Sequence, residues 1–173
     1  MSKKMQTKKL TVCAMLSALG VVLLWLGSAV EVVDVSMAVV ASLFCVFAVI
    51  EYGGAAPWLI FSVTGLLSLI LLPQKTPAIL YLLFFGYYPI IKERLEKKRR
   101  MIGWIAKEIV FNGALFLLLI LSRFLLMGSE TEPLWMFVAV VVLAEIVFPV
   151  YDMALTRLIS FYLFRVRHRL RIK

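Results

Sequence analysis

Long apolar runs separated by short polar clusters make up almost the whole chain, and the runs are long enough to be read as helices that cross a bilayer. They cover residues 10–28, 35–50, 55–72, 78–91, 104–127 and 134–160. A spanning helix needs about 20 predominantly apolar residues, so six spans use up the sequence as one membrane domain. Glycine and proline punctuate the breaks. Gly53 and Gly54 follow the second run, and Pro57 stands near the first turn of the third, where proline is tolerated. Pro73 and Pro77 bound the third connection, and Pro133 closes the fifth. Counted to Phe164, the last run is ~45 Å of helix against a hydrocarbon core of ~30 Å. It must therefore tilt, kink at Pro149 or project into the cytoplasm.

Composition agrees with this pattern. The chain is 63% hydrophobic and only 17% charged, where a soluble domain is about a quarter charged. Mean hydropathy is +0.99. The charge is clustered, and its placement sets a topology. One basic block is Lys3, Lys4, Lys8 and Lys9; a second is Lys92, Arg94, Lys97, Lys98, Arg99 and Arg100; a third runs from Arg165 to Lys173. With six spans all three fall on one side, the cytoplasmic one by the positive-inside rule. Both termini are then cytoplasmic. The opposite side holds Glu31, Asp34, Glu130 and Glu132 against Lys75. The net charge of +9 is accordingly a topology signal, with no nucleic-acid partner implied. Gly27-Ser28-Ala29 has the small residues of a signal-peptide cleavage site. The length of the apolar run and the six-span balance favour a retained helix. Cys13 and Cys45 lie inside apolar runs, without metal-ligand spacing or a disulfide framework.

Little in the sequence is suited to catalysis. The one histidine, His168, sits in the basic tail, and no HExxH, GxSxG or phosphate-cradling glycine loop occurs. No enzyme activity and no cofactor are expected, and active transport would need a partner's ATPase. Ionisable residues inside apolar runs are the default functional candidates. Glu145 falls near mid-membrane in the last run, where an uncompensated acid costs at least ~2.5 kcal/mol. Pro149 and Asp152 follow on the same helix face. Arg123 lies about a turn from the outer end of the fifth run, with Asn112 and Glu108 continuing its face. These groups have two readings, as polar clasps between helices or as ligand contacts. Lys75, Tyr81 and Trp135 fall near the outer ends, where they either line an outward-facing cavity or belong to the interfacial aromatic belt.

Ala14 and Ala18 form a small-xxx-small pair that lets another helix approach closely, from this bundle or from a partner. The stretch "KERLEKKRR" reads as a solvated helix end near anionic lipid, or as a docking surface.

The basic start followed by an alanine-x-x-x-alanine helix, "KKLTVCAMLSALGVVL", together with the six-run layout and the missing nucleotide motif, resembles the S component of energy-coupling-factor (ECF) transporters. That family implies an all-α bundle of six transmembrane helices in the bacterial plasma membrane. It implies an outward-facing pocket for a vitamin or similar micronutrient, and coupling to a transmembrane T component and ATPase subunits. By resemblance, Ala14 and Ala18 contact the T component, and Lys75, Tyr81, Arg123, Trp135 and Glu145 lie near the ligand. No subfamily signature names a substrate. The MreD-type rod-shape family is a rival resemblance: the last run, "EIVFPVYDMALTRLISFYLF", is not unlike its carboxyl end. It implies a membrane scaffold in envelope assembly, without a ligand.

Overall fold

A computed structural model of the chain describes residues 3–96, 100–125 and 134–166. Among these every regular element is helical. Helix α1 is Lys3–Ala29, α2 Asp34–Glu51, α3 Ala56–Leu71, α4 Thr76–Leu80, α5 Tyr88–Leu95, α6 Arg100–Leu125 and α7 Leu134–Phe161. A 3-10 turn, Glu31–Val33, joins α1 to α2, and π-helical turns follow α4 (Tyr81–Phe85) and α7 (Tyr162–Val166). Four segments are long and apolar enough to cross a membrane: Gln6–Ala29, Asp34–Glu51, Met101–Leu121 and Val138–Arg165. Helix α3 is also apolar but has only 16 residues. The protein is thus an all-helical membrane protein. The polar turn at 128–133, the middle of the basic loop at 97–99 and the tail carrying His168 lie outside the described residues.

The chain divides into two compact units, Met1–Ile120 and Leu121–Lys173. In the first, α1, α2 and α3 pack on one another, and the α4 segment fits against all three. The buried face of α1 carries Cys13, Ser17, Gly20, Leu24 and Gly27. Steps of four and three keep these on one side of a helix. Buried Asp34, Ala38, Ala41, Cys45 and Ala48 repeat the same steps on α2. Small residues on facing helices let backbones approach, which drives helix association where lipid removes the hydrophobic contrast. Gly20 illustrates the fit: a β-carbon there would lie 2.9 Å from Thr64 Cγ2 on α3.

Polarity is reversed relative to a soluble protein. The buried residues of α3 include Thr64, Gly65 and Ser68, while Leu59, Leu66, Ile70 and Leu71 are exposed. An outward apolar face around a small, hydroxyl-bearing interior is what a lipid solvent selects.

Three contacts track α1 against α3 and its ends. Lys9 Nζ donates to the Tyr52 carbonyl (3.2 Å), Thr64 Oγ1 to the Ser17 carbonyl (3.4 Å), and the Gln74 amide to Ser28 Oγ (3.3 Å). The two helices therefore run side by side in the same direction over the length of α3. Between α2 and α3 the chain reverses through Gly53 and Gly54, at φ 58° and 60°, a left-handed pair that favours glycine.

The fourth apolar run differs from the single helix expected over 78–91. Its α-helix stops at Leu80, widens into the π turn, bends at Gly86–Tyr87 and resumes as α5. The break has local causes. Pro89 in the first turn of α5 has no N–H for the Phe85 carbonyl. The extra residue of the π turn is closed by the Gly86 amide on the Tyr81 carbonyl at 2.7 Å. In the second unit α7 stays helical through Pro149.

Candidate functional site

The sequence-selected residues divide between the units: Ala14, Ala18, Lys75 and Tyr81 in the first, Arg123, Trp135 and Glu145 in the second. Tyr81 is fully buried, 0% exposed. Its hydroxyl lies 3.2 Å from Cys45 Sγ on α2, and its ring centroid is 6.0 Å from that of Phe61 on α3. It is a core residue rather than part of an open wall. Lys75 is exposed in the α3–α4 connection and turns its ammonium back onto the Leu72 carbonyl. Ala14 and Ala18 are exposed on α1, on the flank of the face that carries its packed small residues.

Arg123 is in the last turn of α6, and its side chain lies outside the described residues. Trp135, in the first turn of α7, is 71% exposed. Glu145 is half-buried near the middle of α7, in line with buried Phe148, Asp152 and Leu155. The spacing of three, seven and ten residues places all four on one helix face. Within the second unit no described residue bonds to the Glu145 carboxyl. Asp152, one turn beyond Phe148, does have a partner.

Two polar arrangements were not singled out from the sequence. One is a set of hydroxyl and thiol groups inside the first unit: Ser17, Ser42, Cys45, Thr64, Ser68 and Tyr81, each at most 3% exposed. Ser42 Oγ donates to the Val39 carbonyl at 2.6 Å, while Ser68 Oγ has no hydrogen-bond partner among the described residues. Such residues barely interrupt an apolar run. Their one legible signal is helical spacing, as in Ser17, Gly20, Leu24 and Gly27.

The other is a pair of lysines on one carboxylate. Lys92 Nζ and Lys107 Nζ each lie 3.1 Å from Glu96 Oε1. Lys92 is 1% exposed, so the reading of "KERLEKKRR" as a wholly solvated end fails at its first residue. The i,i+4 spacing to Glu96 and the approach of α6 bury its stem.

Nearby, Lys9 lies over the Tyr52 ring at 5.4 Å. Burial holds the Tyr52 phenol above its usual pKa range. The ring therefore meets the lysine as a neutral π surface.

Chemically, the described residues hold no group of three or more His, Cys, Asp or Glu able to bind a metal. The first unit offers packed hydroxyls and two lysines on one partly exposed carboxylate, and the second a mid-helix acid. The class these features define is a helical membrane protein with polar groups set inside its helices. No family model matches the chain, and comparison with curated proteins and with solved structures likewise finds no match.

Proposed function

We propose that the protein is the substrate-binding membrane subunit of an ECF-type micronutrient uptake transporter. In this reading it crosses the bacterial plasma membrane six times with both termini in the cytoplasm. A T component and paired ATPases supply the energy, so no chemical step belongs to this chain. The observation that carries the reading is the position of Ala14 and Ala18. The bundle face of α1 is already lined by Cys13, Ser17, Gly20 and Gly27, yet two more small residues stand exposed among Leu10, Met15, Leu19 and Val22. Lipid has no use for a small-residue groove, whereas a partner helix does. Six spans are supported by the course of α3, which accompanies α1 despite its 16 residues.

The test is purification from the native membrane. ATPase subunits and a small molecule should accompany the protein; cell-wall synthesis proteins in their place would reject the transporter reading. A14W combined with A18W should leave the protein folded and ligand-bound but abolish co-purification of the T component and uptake. Unimpaired uptake would remove α1 from the contact.

The MreD-like scaffold is retained as a second reading because of Tyr81. One of the five residues expected at the ligand is buried in a filled core, as a scaffold without a ligand requires.

A further inference from the structure

Ser68 is fully buried on α3, and its hydroxyl has no hydrogen-bond partner among the described residues. A buried hydroxyl is costly to leave unsatisfied. Its level in the bundle follows from contacts made inside the first unit. Between α1 and α3, Thr64 bonds to the Ser17 carbonyl and Gln74 to Ser28 Oγ, and a β-carbon on Gly20 would meet Thr64. Ser68, one turn beyond Thr64, therefore stands level with the turn of α1 from Gly20 to Leu24.

Ser42 of α2 comes to the same level. The helices α1 and α2 run in opposite directions, since β-carbons on Gly27 and Gly20 would meet Met37 and Phe44 respectively. Ser42, two residues before Phe44, thus falls on the turn that begins at Gly20. From α4, a β-carbon on Gly65 would meet Leu82 and one on Gly86 would meet Phe61, which brings Ala78 level with Ser68. Two hydroxyls of different helices therefore share one layer, together with Leu24, Ala38, Ala41 and Ala78, all fully buried.

The chemistry of an occupant follows from this layer. Ser42 donates to the Val39 carbonyl, so toward the interior it can only accept; Ser68 can donate or accept. Among the described residues no charged side chain shares the layer, and a metal ion asks for several oxygen ligands. Closed walls of Leu24 and three alanines leave no place for an organic solute. A small neutral molecule that donates to one hydroxyl and bonds the other is water, and buried water sits where polar groups otherwise go unsatisfied.

We propose that the layer of Ser42 and Ser68 is a binding site for one ordered water molecule, which bridges the two hydroxyls and ties α2 to α3. The bridge does for these helices what Thr64 does directly for α3 and α1. It holds for a transporter subunit and for a scaffold alike.

The test is thermal unfolding of the full chain in maltoside micelles, comparing S42A, S68A and the double variant in a cycle. Removing one end of the bridge leaves the other hydroxyl short of a partner, so S68A should lower the melting temperature by about 2–4 °C. S42A should lower it too, and the double variant should fall by clearly less than the sum, because both changes break one bridge. An unchanged or raised melting temperature in S68A would overturn the proposal, since deleting an unbridged buried hydroxyl costs little. Additive falls would overturn it as well.

A crystal structure of the wild-type protein reads the site without any variant. Density for one water within hydrogen-bond distance of both Oγ atoms supports the proposal. Hydroxyls bonded directly to each other, or each only to a carbonyl of its own helix, overturn it.

Discussion

Tyr81 has the hydroxyl and the depth of a ligand-contacting residue, yet its surroundings use both in packing. Its oxygen meets Cys45 Sγ at 3.2 Å and its ring lies against Phe61. A hydrogen bond between helices in a membrane is worth ~0.6 kcal/mol on average, whereas a vacated aromatic site costs ~3–5 kcal/mol. Y81F should therefore keep the fold and lose less than about 1 kcal/mol, while Y81A should lose several times that. Thermal unfolding in micelles measures both. A Y81F variant that unfolds as readily as Y81A would mean that the Cys45 contact, not ring packing, holds this part of the core. Glu145 and Tyr81 looked alike in the sequence as polar groups within apolar runs. Tyr81 is set apart by its partners on α2 and α3, a distinction only tertiary structure makes.

At the scale of elements, the positions of the helices were legible because run length and proline placement are direct physical signals. The bounds 35–50 and 55–72 fall within one residue of Asp34–Glu51 and Ala56–Leu71. The break in the fourth run was legible only in part: Pro89 marks it locally, but the turn before it also depends on what surrounds Gly86. A β-carbon there would lie 2.6 Å from Phe61 Cδ2, 2.8 Å from Tyr81 Cε1 and 2.9 Å from Tyr81 Cζ. These are ring atoms held by their own packing, not the ends of flexible chains. Phe84, between Tyr88 at 4.9 Å and Phe111 of α6 at 5.4 Å, pins the other side of the turn. G86A should therefore cost about 1–3 kcal/mol, as overpacking does. It should also raise the accessibility of Cys45 to a membrane-permeant maleimide as Tyr81 is displaced. A variant with wild-type stability and an unreactive Cys45 would show that the turn relaxes without disturbing the core. The orientation of α1 was half legible. Ala14 and Ala18 stood out, but their outward position follows only once Cys13, Ser17 and Gly20 are seen to occupy the bundle face.

For the whole molecule the open quantity is how often the chain crosses the membrane. Length and composition alone support four crossings, by α1, α2, α6 and α7, and in that topology everything from Tyr52 to the basic loop stays on one side. The course of α3 favours six. Its start lies near the Tyr52 end of the bundle, where Lys9 docks, and its far end near Ser28, where the Gln74 amide bonds. A helix of 16 residues is ~24 Å long, short of a ~30 Å core. Mismatch of that size is met by local thinning at a fraction of a kcal/mol per Å. Burying its exposed Leu59, Leu66, Ile70 and Leu71 in lipid returns about 1.5–3 kcal/mol for each side chain fully removed from water. The balance favours crossing. With the buried Cys13 and Cys45 replaced by alanine, single cysteines at the exposed Ala55 and Gln74 separate the two topologies. In intact cells an impermeant maleimide should label Gln74→Cys from outside and reach Ala55→Cys only after permeabilisation. Labelling of both from the same side would reduce the count to four and bring Lys75 to the cytoplasmic face, away from any outward-facing pocket.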